Sequence, residues 1–292
     1  MDVADLRADT TAIAQGADYH LALGRSWDFL LPSGGVVMTA ALRAAAMAID
    51  DPGLKLLSAT AIFCEPIQPG PLVITPLILR RGGSAVQTRT TLRAPGSSGC
   101  EVIATFARER SGPDVIAHRS PTVAPPEQGL DLLGPGSPML RARFFGNLEC
   151  RLAEGTPLWS EGFTAGPARH LRWFRYHRPQ RDGDALDRLA LPPIVDTMPA
   201  ALHQALGPSA YRFYAPSVDL TIHVVDDTDR EWILIAAELG RARGGWATAR
   251  AEIWDDRGKY LGCGTQTMYL RTVTGEPPIV DASGRDRDPD PR

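Results

Sequence analysis

Arg80–Gly96 reads RRGGSAVQTRTTLRAPG and Arg241–Gly258 reads RARGGWATARAEIWDDRG, and the second stretch is a worn copy of the first. Gly82 matches Gly244 and Gly96 matches Gly258 at a single offset of 162 residues, the difference between 244 and 82. After a one-residue slip, Cys100 meets Cys263 and Arg108 meets Arg271. Each copy reads as strand, Gly-rich turn, strand, turn, strand. Each is preceded by an apolar stretch of helical length, Gly34–Ile49 in one half and Leu191–Leu206 in the other. A duplicated helix-plus-sheet unit builds a site at the seam between copies, and the copies are then free to diverge.

Working outward, VVMTAALRAAAMAI carries one charge in an Ala-rich helix, which predicts a helix enclosed by a sheet. Asp50–Gly53 (DDPG) stops it. A first strand is expected around His20–Asp28, then strands at Leu57–Cys64, Leu72–Arg81, Ala85–Arg93 and Glu101–Arg110. In the second half strands are expected at Met139–Arg151, Arg169–His177, Ser217–Val225, Glu231–Ala242, Trp246–Trp254 and Tyr260–Thr272. The Arg169–His177 run reads as an addition to the basic unit with a charged outer face. Leu191, Ile194, Val195, Met198 and Leu202 fall at helical spacing; Pro192 and Pro193 suit a first turn, and Pro199 predicts a kink. Helix then meander, twice, argues against a parallel sheet, which needs a crossover helix between strands. The fold class expected is α+β, a double hotdog: two tandem antiparallel sheets, each wrapped around a long central helix.

The chain has 292 residues, enough for two cores. The boundaries read from composition are an N-terminal unit at 1–112, a Pro/Gly-rich linker at 113–138, a C-terminal unit at 139–275 and a disordered tail at 276–292. Net charge is −3, from 31 basic and 34 acidic residues, which gives no electrostatic reason to bind nucleic acid. No stretch of 18 apolar residues and no leader pattern occurs, so membrane insertion is not expected and a cytoplasmic location is. Cys64, Cys100, Cys150 and Cys263 are widely spaced and read as small core residues with reduced thiols. The six histidines show no metal-ligand spacing, and no GxSxG, GxGxxG or P-loop motif is present.

Taken in order, PSGGVVMTAALRAA, ATAIFCEPIQPGPL, PPIVDTMPAAL, PSVDLTIHV and GTQTMYLR resemble the double-hotdog acyl-CoA thioesterase family, the group that includes bacterial thioesterase II. The resemblance spans about Leu21 to Arg271. It implies an acyl-CoA substrate, water as nucleophile and no cofactor beyond the coenzyme A of the substrate. It implies a catalytic set of an Asp, a hydroxyl and a Gln, which fall on Asp196, Ser217 and Gln266. Relatives often carry Thr where Ser217 stands.

The residues themselves support one part of this. Asp196 lies among apolar positions of a helix expected to be buried, and a buried carboxylate needs partners or a role. Overlaying the two helices by their first residues puts Met38 opposite Asp196, so one copy has an acid that the other lacks. Conversely the first helix opens on Gly34-Gly35 and the second on two prolines, which have no N–H. Amides of Gly34, Gly35 and Val36 are therefore expected to bind substrate and stabilise its oxyanion. Plainer alternatives stay open: Asp196 as a dipole-favoured helix acid, Gln266 as a solvent-facing strand residue, Ser217 as a turn hydroxyl and the glycines as a tight turn. Asp219 and Thr221 lie two and four residues on from Ser217, so all three share one face and either could join the site. Non-catalytic acyl-CoA or apolar-ligand binding and enoyl-CoA hydration are the competing functions. Met38, Met198, Phe63, Trp173 and Trp254 are candidates for lining an acyl pocket or filling the core. Exposed sheet edges predict a homo-oligomer.

Overall fold

A computed structural model describes residues 3–135, 137–157 and 159–272; the tail expected at 276–292 lies outside them. The first half comprises α1 (Leu6–Thr10), β1 (Ile13–Gln15), β2 (Asp18–Leu23), α2 (Gly34–Ile49), β3 (Lys55–Phe63), β4 (Gly70–Arg81), β5 (Ala85–Arg93) and β6 (Cys100–Ala107). The second begins with β7 (Leu130–Asp131), β8 (Leu148–Glu154), β9 (Arg169–Tyr176), β10 (Arg181–Asp182) and β11 (Ala185–Leu186). It continues with α3 (Leu191–Val195), α4 (Pro199–Leu206), β12 (Phe213–Tyr214), β13 (Ser217–Val224), β14 (Ile233–Arg243), β15 (Trp246–Asp255), β16 (Tyr260–Tyr269) and β17 (Arg271–Thr272).

Thirteen strands form one sheet in the order β1-β2-β4-β5-β6-β3-β13-β16-β15-β14-β9-β8-β7, and β12 and β17 pair separately. The order mirrors itself about the seam. β2-β4-β5-β6-β3 on one side returns as β9-β14-β15-β16-β13 on the other, with a helical segment after β2 and after β9. Shifting β5 by the 162-residue offset lays Ala85 on Ala247 and Arg93 on Asp255, within β15. The expectation of two separate sheets is corrected here. β3 and β13 pair antiparallel from Asp219–Ile62 to His223–Ser58, and the Thr60 and Thr221 hydroxyls meet at 2.9 Å across the join. Two edges that would be liabilities are thereby used up on each other.

The helices diverge. α2 is continuous over 16 residues and buried without a break from Gly35 to Ala45. Its small side chains let strands approach, and Val36, Val37, Met38, Leu42 and Ile49 are removed from water, each burial stabilising by roughly 1.5–3 kcal/mol. Its one charge, Arg43, is neutralised by Asp187 of the second half at 2.8 Å, and its Nε donates to Thr10 Oγ1 at 2.9 Å. The second helix, expected as one kinked element, is two. Pro192 and Pro193 do open α3, but Asp196, Thr197 and Met198 leave helical hydrogen bonding before Pro199 restarts it as α4. Pro199 has no N–H for the preceding turn, so the ladder ends there.

Three local expectations change. Residues 138–147 form two short 3-10 turns instead of a strand, because Phe144 and Phe145 pack on Phe29, and Phe144 on Trp27 as well. The Pro/Gly-rich segment lies partly along the outer face of the second half. Ala124 C=O accepts from Trp173 Nε1 at 3.0 Å, and Val123 packs on a cluster of Leu171, Trp173, Trp232, Leu234 and Trp254. Finally, β9 is the counterpart of β2 in the repeat, with β8 and β7 as the additions. Its His170 and Arg172 are buried, so only Arg169 and Arg175, paired with Glu154 and Glu149, put charge on its outer face.

Candidate active site

Asp196 stands at the C-terminal end of α3, where the chain leaves the helix. Its carboxylate is directed across the seam at the N-terminus of α2. There Oδ2 accepts from Gly35 N–H at 2.9 Å and from Ser33 Oγ at 3.0 Å. Ser33 is the N-cap residue of α2 and makes no capping bond to its own helix, because its hydroxyl is given to Asp196. The acid is thus a cap supplied in trans, on the positive end of a 16-residue helix. The close approach requires glycine: a Cβ on Gly35 would meet Pro192 C=O at 2.4 Å.

The other carboxylate oxygen belongs to the second half. Asp196 Oδ1 accepts from Ser217 Oγ at 2.7 Å and from Gln266 Nε2 at 2.7 Å, and Gln266 Nε2 also reaches Ser217 Oγ. The three residues named from sequence therefore converge in one hydrogen-bonded cluster. Ser217 opens β13 just where its register with β16 shifts, between Ser217 and Asp219. This irregularity breaks the alternation that would have put Asp219 and Thr221 beside Ser217. Asp219 instead accepts from Thr267 N–H at 3.0 Å, and Thr221 meets Thr60. Gln266 is almost fully buried, at 1% exposure, and is not a solvent-facing strand residue. Its Oε1 finds no hydrogen-bond partner among the described residues.

The electrostatics follow from this packing. Burial pushes the Asp196 carboxyl above its ordinary range, and the donors from Gly35, Ser217, Ser33 and Gly34 oppose that shift without cancelling it. A carboxylate has about four acceptor positions, and four donors fill them. The expectation of three oxyanion-binding amides changes accordingly. Gly35 N–H is committed to Asp196 and Val36 N–H to Ser33 C=O at 3.0 Å. Gly34 remains: it borders the cavity, and its N–H is the weakest of the donors that oppose the Asp196 shift. Ser33 was not anticipated; its signal was an N-cap serine directly ahead of two glycines, which reads as an ordinary cap.

The cluster opens on a cavity of about 670 Å³, within the range of small-molecule sites. Its apolar wall includes Phe29, Phe63, Ile67 and Phe145, and Trp159 and Tyr214 also border it. Of the five lining candidates, Phe63 borders it; Met38 and Met198 belong to the central core, and Trp173 and Trp254 to the outer cluster. No group of three or more His, Cys, Asp or Glu side chains that could hold a metal occurs among the described residues. No helix among them is long and apolar enough to cross a membrane.

Two family models match the chain. The one described as acyl-CoA thioesterase C-terminal domain matches residues 119–270, and the one described as acyl-CoA thioesterase N-terminal domain matches 24–108. Among solved structures, a conserved hot dog fold protein of unknown function from Alicyclobacillus acidocaldarius superposes with a TM-score of 0.78 at 20% identity, over 92% of this chain and 98% of that one. An acyl-CoA thioesterase II from Mycobacterium marinum gives 0.75 at 19% identity, over 92% and 99%. A tesB protein from Mycobacterium avium subs paratuberculosis gives 0.71 at 18%, over 92% and 100%. At these identities the structures speak for the hotdog fold alone. No curated protein sequence matches the chain.

Proposed function

Because the chain belongs to the acyl-CoA thioesterase family and is a thioester hydrolase, we propose that Asp196, Ser217 and Gln266 activate the water that cleaves its substrate. The observation that carries this reading is the convergence of Ser217 and Gln266 on the carboxylate of Asp196, which borders the cavity. The same reading takes the fold as a doubled hotdog in which each half supplies one side of a single site; the mirrored strand order supports it.

The chemistry follows from which donors can move. Gly35 N–H is fixed backbone and Ser33 sits in the cap, so the Oδ2 side of Asp196 stays anchored. The Oδ1 side is held by two side chains, one of them a hydroxyl that can rotate. While Gln266 Nε2 keeps Oδ1 in place, a water that displaces the Ser217 hydroxyl from Oδ1 donates there and accepts from that hydroxyl once it has rotated. Its lone pair is then free to attack the thioester carbonyl carbon while Asp196 takes its proton. Gly34 N–H, at the positive end of α2, receives the developing oxyanion. The tetrahedral intermediate collapses with loss of the C–S bond, and the Asp196 proton passes to the departing thiolate. A thioester needs no covalent nucleophile or metal for this. Ser217 keeps the hydroxyl that Thr supplies in relatives.

The test is release of free thiol from a panel of acyl-CoAs. Asp196→Asn keeps the size and removes the base; kcat is expected to fall by about 10³-fold, the middle of the range for a general base. Near-normal kcat in a folded Asp196→Asn protein would refute the assignment.

A further inference from the structure

The cavity holds a second polar cluster that the hydrolytic chemistry does not use. Arg172 on β9 points inward beneath the α3–α4 break, where its Nη2 donates to Thr197 C=O at 2.6 Å. It is 5% exposed, and its guanidinium carbon lies 5.2 Å from the Phe174 ring. Among the described residues no Asp or Glu pairs with it. The two carboxylates bordering the cavity are engaged elsewhere: Asp196 by its four donors, Glu65 by Ser97 Oγ and Ser98 N–H. Its cavity neighbours His170 and His203 cannot balance it either. Burial and the Arg172 charge push His170 down to about 3 and His203 down to about 4, so both are neutral at pH 7. His170 Nδ1 is itself buried without a partner.

An arginine does not discharge in a protein, and a buried unpaired cation is costly. Such a group marks where an anion comes to rest. The guanidinium lies inside the fold beside Thr197, which follows Asp196 in the chain, and shares one cavity with Pro199 and Ala200. An anion held there would share the cavity with the Asp196 cluster and sit among apolar walls, a setting for the end of an acyl chain and a poor one for hydrated phosphates. We propose that the enzyme selects acyl-CoAs whose acyl group ends in a carboxylate, with Arg172 as its counterion and His170 and His203 as neutral hydrogen-bonding flank. The reaction is then ω-carboxyacyl-CoA plus water giving a dicarboxylic acid and coenzyme A. The choice of substrate rests on the thioesterase reading above; the anion site does not.

The experiment compares adipoyl-CoA with hexanoyl-CoA, and glutaryl-CoA with pentanoyl-CoA, in wild type, Arg172→Met and Arg172→Lys. The wild type is expected to favour the carboxylate member of each pair at least tenfold in kcat/KM. Arg172→Met should lower that ratio about a hundredfold, as for loss of a buried charge-assisted hydrogen bond, and Arg172→Lys should retain part of it. The preference should persist with acyl-pantetheine thioesters, which carry no phosphate; dependence of the Arg172 effect on phosphates would instead make coenzyme A the anion and overturn the proposal. Equal or better turnover of the alkyl member would also overturn it. Binding is read separately: adipate should raise the melting temperature of the wild type, with hexanoate doing less and Arg172→Met losing the difference. Adipate binding without hydrolysis of any thioester would sink the catalytic reading and leave this site standing. Hydrolysis without carboxylate preference or adipate binding would do the reverse.

Discussion

Two arginines are buried among the described residues, one in each half, and the fold treats them differently. Arg43 projects from α2 and finds Asp187 at 2.8 Å, with Thr10 Oγ1 as a further acceptor. Arg172 projects from β9 toward the broken helix of its own half and finds a backbone carbonyl and a ring. A charge that the fold neutralises is part of the scaffold. A charge left for something else to neutralise, at the wall of a cavity, belongs to the site. The same divergence runs through the helices. α2 stays whole and offers its N-terminus; its counterpart breaks at Asp196–Met198 and offers a carboxylate and the Thr197 carbonyl that Arg172 meets.

The largest effect expected from this contrast is on stability. Asp187→Ala strands Arg43 in the core and should cost about 3–5 kcal/mol, read from the urea midpoint at constant m-value. Arg172→Met should cost nothing or stabilise, since it removes an uncompensated cation while Thr197 C=O still accepts from Ala200 N–H at 3.3 Å. If Arg172→Met destabilises as much as Asp187→Ala, the two arginines are alike and the contrast fails.

A smaller effect concerns pH. Burial raises the Asp196 carboxyl, so it protonates at a less acidic pH than an exposed aspartate. Activity needs its ionised form, and the acid limb of the kcat profile should lie above the ordinary carboxylate range. The stability linkage has the matching sign. A raised folded-state value means that its contribution is complete below the unfolded pKa and lost as pH rises through the folded one. Asp196→Asn should therefore gain stability relative to wild type between acidic and neutral pH. A profile whose acid limb sits at or below that of a free aspartate would contradict the burial argument.

Much of the fold could be read from the repeat because hairpin turns constrain sequence. Gly244 and Gly258 hold φ of 61° and 77°, and Gly96 also holds 77°, a conformation that favours glycine. Those positions keep their glycines while the strand residues between them drift. The joined sheet was less legible, since edge pairing between β3 and β13 leaves no mark in either strand alone. For the site, Asp196, Ser217 and Gln266 lie on three separate elements, and no spacing rule links them; they were found by resemblance. The helix break was announced by Pro199, but Asp196's turn toward α2 depends on Gly35 allowing contact with Pro192. Arg172 was hidden for a different reason. In RHLRWFRYHR both faces mix charge with aromatic residues, and both are covered, one by α4 and the cavity wall, the other by Trp232 and the segment at Val123. Alternation reveals an inner face only when the outer one is wet.

The central claim is that Asp196, held on the N-terminus of α2, works on a water and not on the substrate carbon. A single turnover with enzyme in excess in ¹⁸O-water tests it directly. Water attack predicts one solvent oxygen in every molecule of product acid, with the Asp196-containing peptide unlabelled. Product that emerges without solvent oxygen, together with label in Asp196, would show a carboxylate nucleophile and contradict the account.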